Sequence, residues 1–453
     1  MNNTNFTFQM KKNKKKRKNK KKSKFKGKTA AHSFTGKQLT AYAGLSPLMQ
    51  KITEEYNLGQ EFNDLFPTVM HNSTKFITAQ IMMAVVLASL AGIKHLINIA
   101  AFTHDALILQ LLGLPKGLNK DVISTHLKAL GQAGAIKLHE YCLGLTNQWL
   151  QDCPTDSVTF DADSTVKTVY GKQEGAAKGF NKEKKGARSY HPLLIFCSEM
   201  KLVVNSWFRT GSAYTSNGIC EFVKQTAATL PANIKNVFFR ADSGFFNGAL
   251  FDLLETLRWT YLVKVKFKGM KQVLENQTWT TPKDNPNIAW CEFEYQAKGW
   301  KKSRKLKAVR NIKSWKPVDY FGQIQLVPEY VYVCYCSNLK DSALELHEKY
   351  KARATSETWI EQVKSQLLAG STLTDDFHAN DMLWQLNVLA YNLSLMVRRK
   401  SKKIWREEHA TFRDWFIKVP ALVIKSGRQI ILKIYQHYLY KEKWQKFELA
   451  LLL

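Results

Sequence analysis

The chain has 453 residues, 45% of them hydrophobic and 12% aromatic, which is enough to bury a large core and excludes a wholly disordered protein; roughly two to four structural units are expected at this length. Its formal charge is +30, from 67 basic and 37 acidic residues, an excess that an anionic partner must relieve, and nucleic acid answers this better than a membrane surface. The seven cysteines (Cys142, Cys153, Cys197, Cys220, Cys291, Cys334 and Cys336) are scattered and form no Cys-x-x-Cys pair, which argues against a disulfide framework or zinc module and for a reducing compartment.

Residues 11–28 read KKNKKKRKNKKKSKFKGK, a run too charged to pack and suited to holding a polyanion. It is not followed by the apolar segment of a secretory signal. The most apolar stretch, Ile81–Ile93, has the length of a core helix and is short for a bilayer span. Helical periodicity then runs through Leu45–Tyr56, Lys75–Leu90, Asp121–Leu130 and Ile136–Leu150. Leu118–Leu130 can be read as half of a helix-turn-helix, with Asn119 as N-cap and Lys120, Ser124, Thr125 and Lys128 towards phosphate, or as an ordinary bundle helix.

Near residue 158 the period changes to that of strands. Val158–Asp163 alternates and puts Asp161 and Asp163 on one face. Strands follow at Leu193–Cys197 and Leu202–Arg209, a helix at Ser216–Leu230, a strand at Asn236–Arg240, a helix at Gly248–Leu257 and a strand at Thr260–Val265. The order β-β-β-α-β-α-β resembles the ribonuclease H-like α/β fold. Residues 267–340 interrupt it as a β-rich insertion, with strands at Trp290–Tyr295, Lys305–Ile312 and Tyr330–Cys336. A long helix is expected from an Asp341 N-cap to about Leu368, stopped by Gly370, and another over Asn380–Arg398.

Two-metal phosphodiester chemistry needs carboxylates that converge on a pair of cations. Asp163 ends the first strand and Asp242 follows the fourth, which would be its neighbour. The late helix carries Tyr350, Arg353, Glu357 and Lys364, four residues that fall within about 60° of one another on a straight helix. That stripe offers a carboxylate for metal, two cations for phosphate and a tyrosine. Alternatives stand beside each acid. Asp161 shares the face of Asp163 and is the alternative first ligand, a cap on the next helix is the lesser alternative for Asp242, and Glu361 lies one turn beyond Glu357. Glu174 and His191 can touch DNA or hold a loop.

The Tyr-x2-Arg-x3-Glu-x6-Lys spacing resembles the signature of bacterial insertion-sequence DDE transposases of the IS-four superfamily. Asp161-Ala-Asp163-Ser-Thr165, Gly171–Gly179, Ser189–Leu194, Arg240–Phe245, His104–Gly113, Phe377–Asn380 and Leu389–Leu393 resemble its IS-thirteen-eighty-like branch. The resemblance covers most of residues 40–435. It implies a cut-and-paste transposase with Asp163, Asp242 and Glu357 as the metal-binding triad for two Mg²⁺ ions, Mn²⁺ able to substitute. Tyr350, Arg353 and Lys364 would contact transposon-end DNA. It also implies double-stranded DNA partners, both terminal inverted repeats and target, and a homodimer in a synaptic complex, without a membrane, in the bacterial cytoplasm at the nucleoid. The lysine-rich arm departs from the family pattern. The other readings are a domesticated, non-catalytic DNA-binding protein on the same fold and a ribonuclease H-like nuclease.

The organisation expected is a basic arm (1–37), an α-helical DNA-binding domain (38–150), a ribonuclease H-like catalytic domain (151–266 and 341–400) split by the β-rich insertion (267–340), and a basic helical C-terminal region (401–453).

Overall fold

A mixed eight-stranded sheet sets the frame, and its strands are numbered along the chain. β1 (Ser157–Ser164), β2 (Leu193–Cys197) and β3 (Leu202–Trp207) are joined antiparallel in sequence. β4 (Asn236–Ala241) then pairs parallel with β1, and β5 (Thr260–Lys264) parallel with β4. Helices Ile219–Ala228 and Gly248–Thr256 make the two crossovers, so the β-β-β-α-β-α-β order expected from the sequence is present. All five residues of β2, Leu193-Leu-Ile-Phe-Cys197, are buried, as a strand covered on both faces requires. The computed structural model describes residues 30, 33–68, 76–93, 95–179, 181, 184–214, 216–363, 374–401, 404–427 and 429–452, and side chains 355–357, 360 and 452 are outside that description. The lysine-rich run 11–28 and Lys364 therefore lie outside the described residues. Residues Gln38–Leu453 form one compact unit, which holds the sheet and all the helices.

The β-rich segment expected as an insertion over 267–340 widens the main sheet. β6 (Ile288–Tyr295), β7 (Arg304–Tyr320) and β8 (Gln323–Ser337) add to its edge through β8, which pairs antiparallel with β5 at Cys336↔Val263. The full order is β3-β2-β1-β4-β5-β8-β7-β6. β7 and β8 also outrun the strands expected, because Pro317 and Pro328 look like breaks in sequence. They fall where the hairpin has left its neighbours, and a missing N–H costs little on an open edge.

Helix Phe377–Arg399, N-capped by Asp376, is buried along nearly its whole length and covers the other edge. Asn392 bonds both the N–H and the C=O of Val203 on β3, at 3.0 and 2.8 Å, so a side chain replaces a ninth strand. The N-terminal helices pack on the same helix. Thr78–Ala91 is buried on all sides, and its Ser89 hydroxyl donates to Asn387 at 2.8 Å. This is the apolar run expected to be a core helix; among the described residues no single helix is long and apolar enough to cross a membrane. Asn119 caps the span Lys120–Gln151 as expected, and the two helices foreseen there are separated by a kink at Gly131, where φ is 54°. Lys128, considered for phosphate, is ion-paired with Asp375.

The expectation of a helical C-terminal region is corrected. Ala421–Ser426 and Gln429–Ile434 form a hairpin, and Leu39–Thr40 adds a third strand to it; only Lys441–Leu452 is a regular helix beyond them. The alternation of Ile430, Leu432 and Ile434 and the turn at Gly427 (φ 60°) are strand signals that the basic, aromatic composition of the tail obscures.

Candidate active site

The register of two parallel strands builds the site. Phe160 faces Phe239, Asp161 faces Arg240 and Ala162 faces Ala241, so the next step along both strands brings Asp163 and Asp242 together at their C-terminal ends. The first pair and the second pair behave differently.

Asp161 is fully buried and its carboxylate is engaged on both oxygens. Arg240 donates through Nε at 2.8 Å and Nη2 at 2.7 Å, and the Ser198 hydroxyl donates at 2.7 Å. This bidentate pair satisfies two buried charges that would each be costly alone. Arg240 reaches further: its Nη1 donates to the Lys349 carbonyl at 3.1 Å.

Asp163 is mostly buried but reaches the surface, with its side chain 18% exposed. Its Oδ1 accepts the Ser164 N–H at 2.8 Å, and Arg353 Nη2 lies 3.2 Å from Oδ2. Burial pushes this carboxyl up to about 6; Arg353 pulls the other way, and the neighbouring Asp242 carboxylate pushes with burial. Asp242 accepts the Gly244 N–H at 2.9 Å and so also caps the short turn Ser243–Phe245. The cap alternative for Asp242 is therefore realised at this short turn, through Oδ1.

The late helix is not continuous. Ser342, not Asp341, is its N-cap, in a capping box with Glu345. Helix Ala343–Lys351 then ends, and Ala354–Glu361 begins after the turn at Ala352–Arg353. The cause lies in the site: Arg240 takes the Lys349 carbonyl, and the Arg353 N–H bonds Tyr350 O at 2.9 Å, one residue short of the α-helical partner. Of the stripe expected over Tyr350, Arg353, Glu357 and Lys364, the helix is interrupted at Ala352–Arg353, and Lys364 and the Glu357 side chain lie outside the described residues. Arg353, expected at DNA, is 4% exposed and points inward, donating to Ala162 O at 3.1 Å beside its contact with Asp163. Tyr350 is half-buried, its ring 5.1 Å from that of Tyr335. Glu357 lies on the second helix, with its side chain outside the described residues, and Glu361 is exposed at that helix's end.

Two further residues, expected at DNA or in a loop role, each make a hydrogen bond to a neighbouring segment, and Glu174 stays exposed. Glu174 accepts the Phe377 N–H at 3.0 Å and helps cap the buried helix, and His191 is buried, with its carbonyl accepting Arg209 Nε at 2.8 Å. Arg240 and Ser198 are the site residues that sequence reasoning passed over. The signal for Arg240 was available: Asp161-x-Asp163 and Arg240-x-Asp242 share one spacing.

The donor chemistry fits a hard divalent cation, since two carboxylates of like charge meet at one strand edge. Among the described residues no three acidic, histidine or cysteine side chains form a ready metal cluster.

The family described as Transposase DDE domain group 1 has a sequence model that matches residues 22–452, and the chain belongs to that family of DDE transposases, whose processes are transposition and DNA recombination. No curated protein matches the chain. Among solved structures it is similar to a piggyBac transposase synaptic complex with hairpin DNA, at 14% identity and TM-score 0.45, over 82% of this chain and 79% of that one. It is also similar to a Mos1 transposase paired-end complex with the left transposon end, at 11% identity and TM-score 0.18, over 47% of this chain and 65% of that one. A Mos1 mariner paired-end complex with Mn matches at 12% identity and TM-score 0.18, over the same shares of 47% and 65%.

Proposed function

We propose that this transposase cuts element ends and joins them to target DNA on a ribonuclease H-like core, using Asp163, Asp242 and Glu357 to hold two Mg²⁺ ions, for which Mn²⁺ can substitute. The observation that carries this reading is that Asp163 and Asp242 each follow the last paired residues, Ala162↔Ala241, of two adjacent parallel strands, in a sheet whose first five strands run β3-β2-β1-β4-β5. The closed Asp161–Arg240 pair supports Asp163, not Asp161, as the first ligand. Bound metal would activate the attacking hydroxyl and offset charge on the leaving oxygen. The chain's own residues do the positioning. Arg353 holds the Asp163 carboxylate and the strand behind it. Arg240 ties the end of helix Ala343–Lys351 to the same strand, which sets where the Glu357 helix starts.

Lys364 and Tyr350 are the remaining candidates for end DNA, and the +30 charge supports a duplex partner at inverted repeats and target. We place the chain in the IS-thirteen-eighty-like branch, acting as a homodimer at the bacterial nucleoid. The test is strand cleavage and joining on end-containing duplex, with Mg²⁺, with Mn²⁺ and after chelation. Replacing Asp163, Asp242 or Glu357 by Ala should abolish both steps while end binding survives. Unchanged cleavage by one variant would remove that residue from the triad, and robust hydrolysis without joining on unrelated DNA would favour the nuclease reading.

A further inference from the structure

The outer half of the β7–β8 hairpin has no cover. β6 pairs with β7 only up to Asn311, and β5 with β8 only over Tyr335–Ser337, so among the described residues Ser314–Tyr320 and Gln323–Glu329 pair with each other alone. Directly opposed residues share a face, and Trp315↔Pro328, Pro317↔Leu326 and Asp319↔Ile324 make one face almost wholly apolar. Trp315, Ile324 and Leu326 are 55%, 75% and 65% exposed on it. At the tip Phe321 is fully exposed with φ at 55°, a conformation that a bulky residue adopts only under strain and that hairpins of this type usually give to Asn or Gly. A two-stranded ribbon is marginal by itself in water, and an apolar face of this kind marks an interaction surface.

Charge identifies the partner. The chain carries +30, yet Lys313 and Lys316 are balanced by Asp319 and Glu329 over residues 313–329. Both lysines reach Glu329, at 3.9 and 3.2 Å. A phosphate-binding ribbon would carry unbalanced cations. Two copies of this chain carry the same positive net charge and approach with least repulsion where the local charge is balanced. We propose that this ribbon face docks on the same face of a second copy of the chain, about a two-fold axis. The inference goes beyond the proposed chemistry and rests on that reading only for the expectation of a dimer. The contact is small, on the order of 400 Å² per copy from the exposed side chains, below the size of a stable interface, so the pair is a weak, reversible one in the range of roughly tens of micromolar.

Sedimentation velocity of the full chain without DNA, from about 1 to 100 μM, tests this directly. The wild type should shift from monomer to dimer across that range. The double variant Ile324→Lys, Leu326→Lys should stay monomeric, at least roughly tenfold weaker, with an unchanged thermal melt because both side chains are exposed. Trp315→Ser is the second variant should that pair misfold, and should weaken association likewise. Asp163→Ala should dimerise like the wild type, which separates this inference from the proposed chemistry. A wild type that stays monomeric, or variants as dimeric as the wild type, would overturn it, as would variants that lose DNA binding with no change in oligomeric state.

Discussion

Replacing Asp161 by Asn should cost the fold more than it costs the chemistry. The Asp161 carboxylate lies at 0% exposure and accepts two hydrogen bonds from Arg240, at 2.8 and 2.7 Å, and a third from Ser198. The asparagine is nearly the same size, so no cavity forms. What changes is that a buried guanidinium, itself 6% exposed, keeps its charge without a counter-charge. Breaking one side of such a pair costs about 3–5 kcal/mol. With an unfolding entropy of about 2.1 cal/mol/K per residue over Gln38–Leu453, a loss of ~4 kcal/mol lowers the melting midpoint by about 5 °C. The double variant Asp161→Asn, Arg240→Met removes both charges and should regain at least about 2 kcal/mol relative to the sum of the single changes. Thermal melts of the four proteins give the coupling. Cleavage measured well below the melts should fall by no more than roughly tenfold in Asp161→Asn, against more than roughly a hundredfold in Asp163→Asn. A stable Asp161→Asn protein without cleavage, beside an active Asp163→Asn protein, would refute the assignment and make Asp161 the ligand.

Asp163→Asn should leave the melting temperature unchanged or raised at pH 8, because it removes like charge facing Asp242 from a site that burial already disfavours; a clear drop would mean that the Arg353 contact dominates. Gly211→Ala should cripple folding, since the added Cβ would stand 1.9 Å from Ser189 O and 2.5 Å from Ala177 O, both main-chain atoms; soluble yield and melting temperature report it. Burial pushes the Asp381 carboxyl up to about 7, against a weak bond from Gln385 Nε2 at 3.3 Å. The folded chain therefore holds a proton that the unfolded chain releases between about pH 4 and 7. Stability should fall as pH rises through that window and stay flat above it. Asp381→Asn should stabilise at pH 8 and do little at pH 4; equal effects at both would exclude this carboxyl as the source.

The parts of the fold legible in the sequence are those that local period and burial determine together. β2 is five consecutive apolar residues and β1 alternates around Phe160, and neither pattern has a competing reading of similar length. The departures come from tertiary pairing. Whether Tyr330–Cys336 belongs to an inserted domain or to the main sheet depends on the edge of β5, to which it pairs through only three residues. Nothing local in that strand names its partner. The C-terminal hairpin was hidden differently: its Lys and Arg content masked a period of two, and its third strand comes from Leu39–Thr40, almost four hundred residues away.

The site divides along the same line. Asp163 and Asp242 were legible because strand order alone makes their strands neighbours. The role of Arg353 was not, because helical periodicity ranks faces without saying which one meets the sheet. A straight helix would have presented Tyr350, Arg353 and Glu357 together to a ligand. The observed turn spends Arg353 on the strand that carries Asp163 and gives Glu357 a helix of its own. The two arginines thus act as a matched pair of ties. Arg240 links Asp161 to the end of one helix and Arg353 links Ala162 and Asp163 to the start of the next, so the break between the helices is fixed to the strand at two successive rungs. A carboxylate delivered by the second helix is then referenced to the strand that carries Asp163 and not to the long gap of chain before it. Positional tolerance at such sites is small, because an error of about 1 Å can cost a hundredfold in rate. On this account the insertion can vary in length while the distance that matters is held by two guanidinium groups.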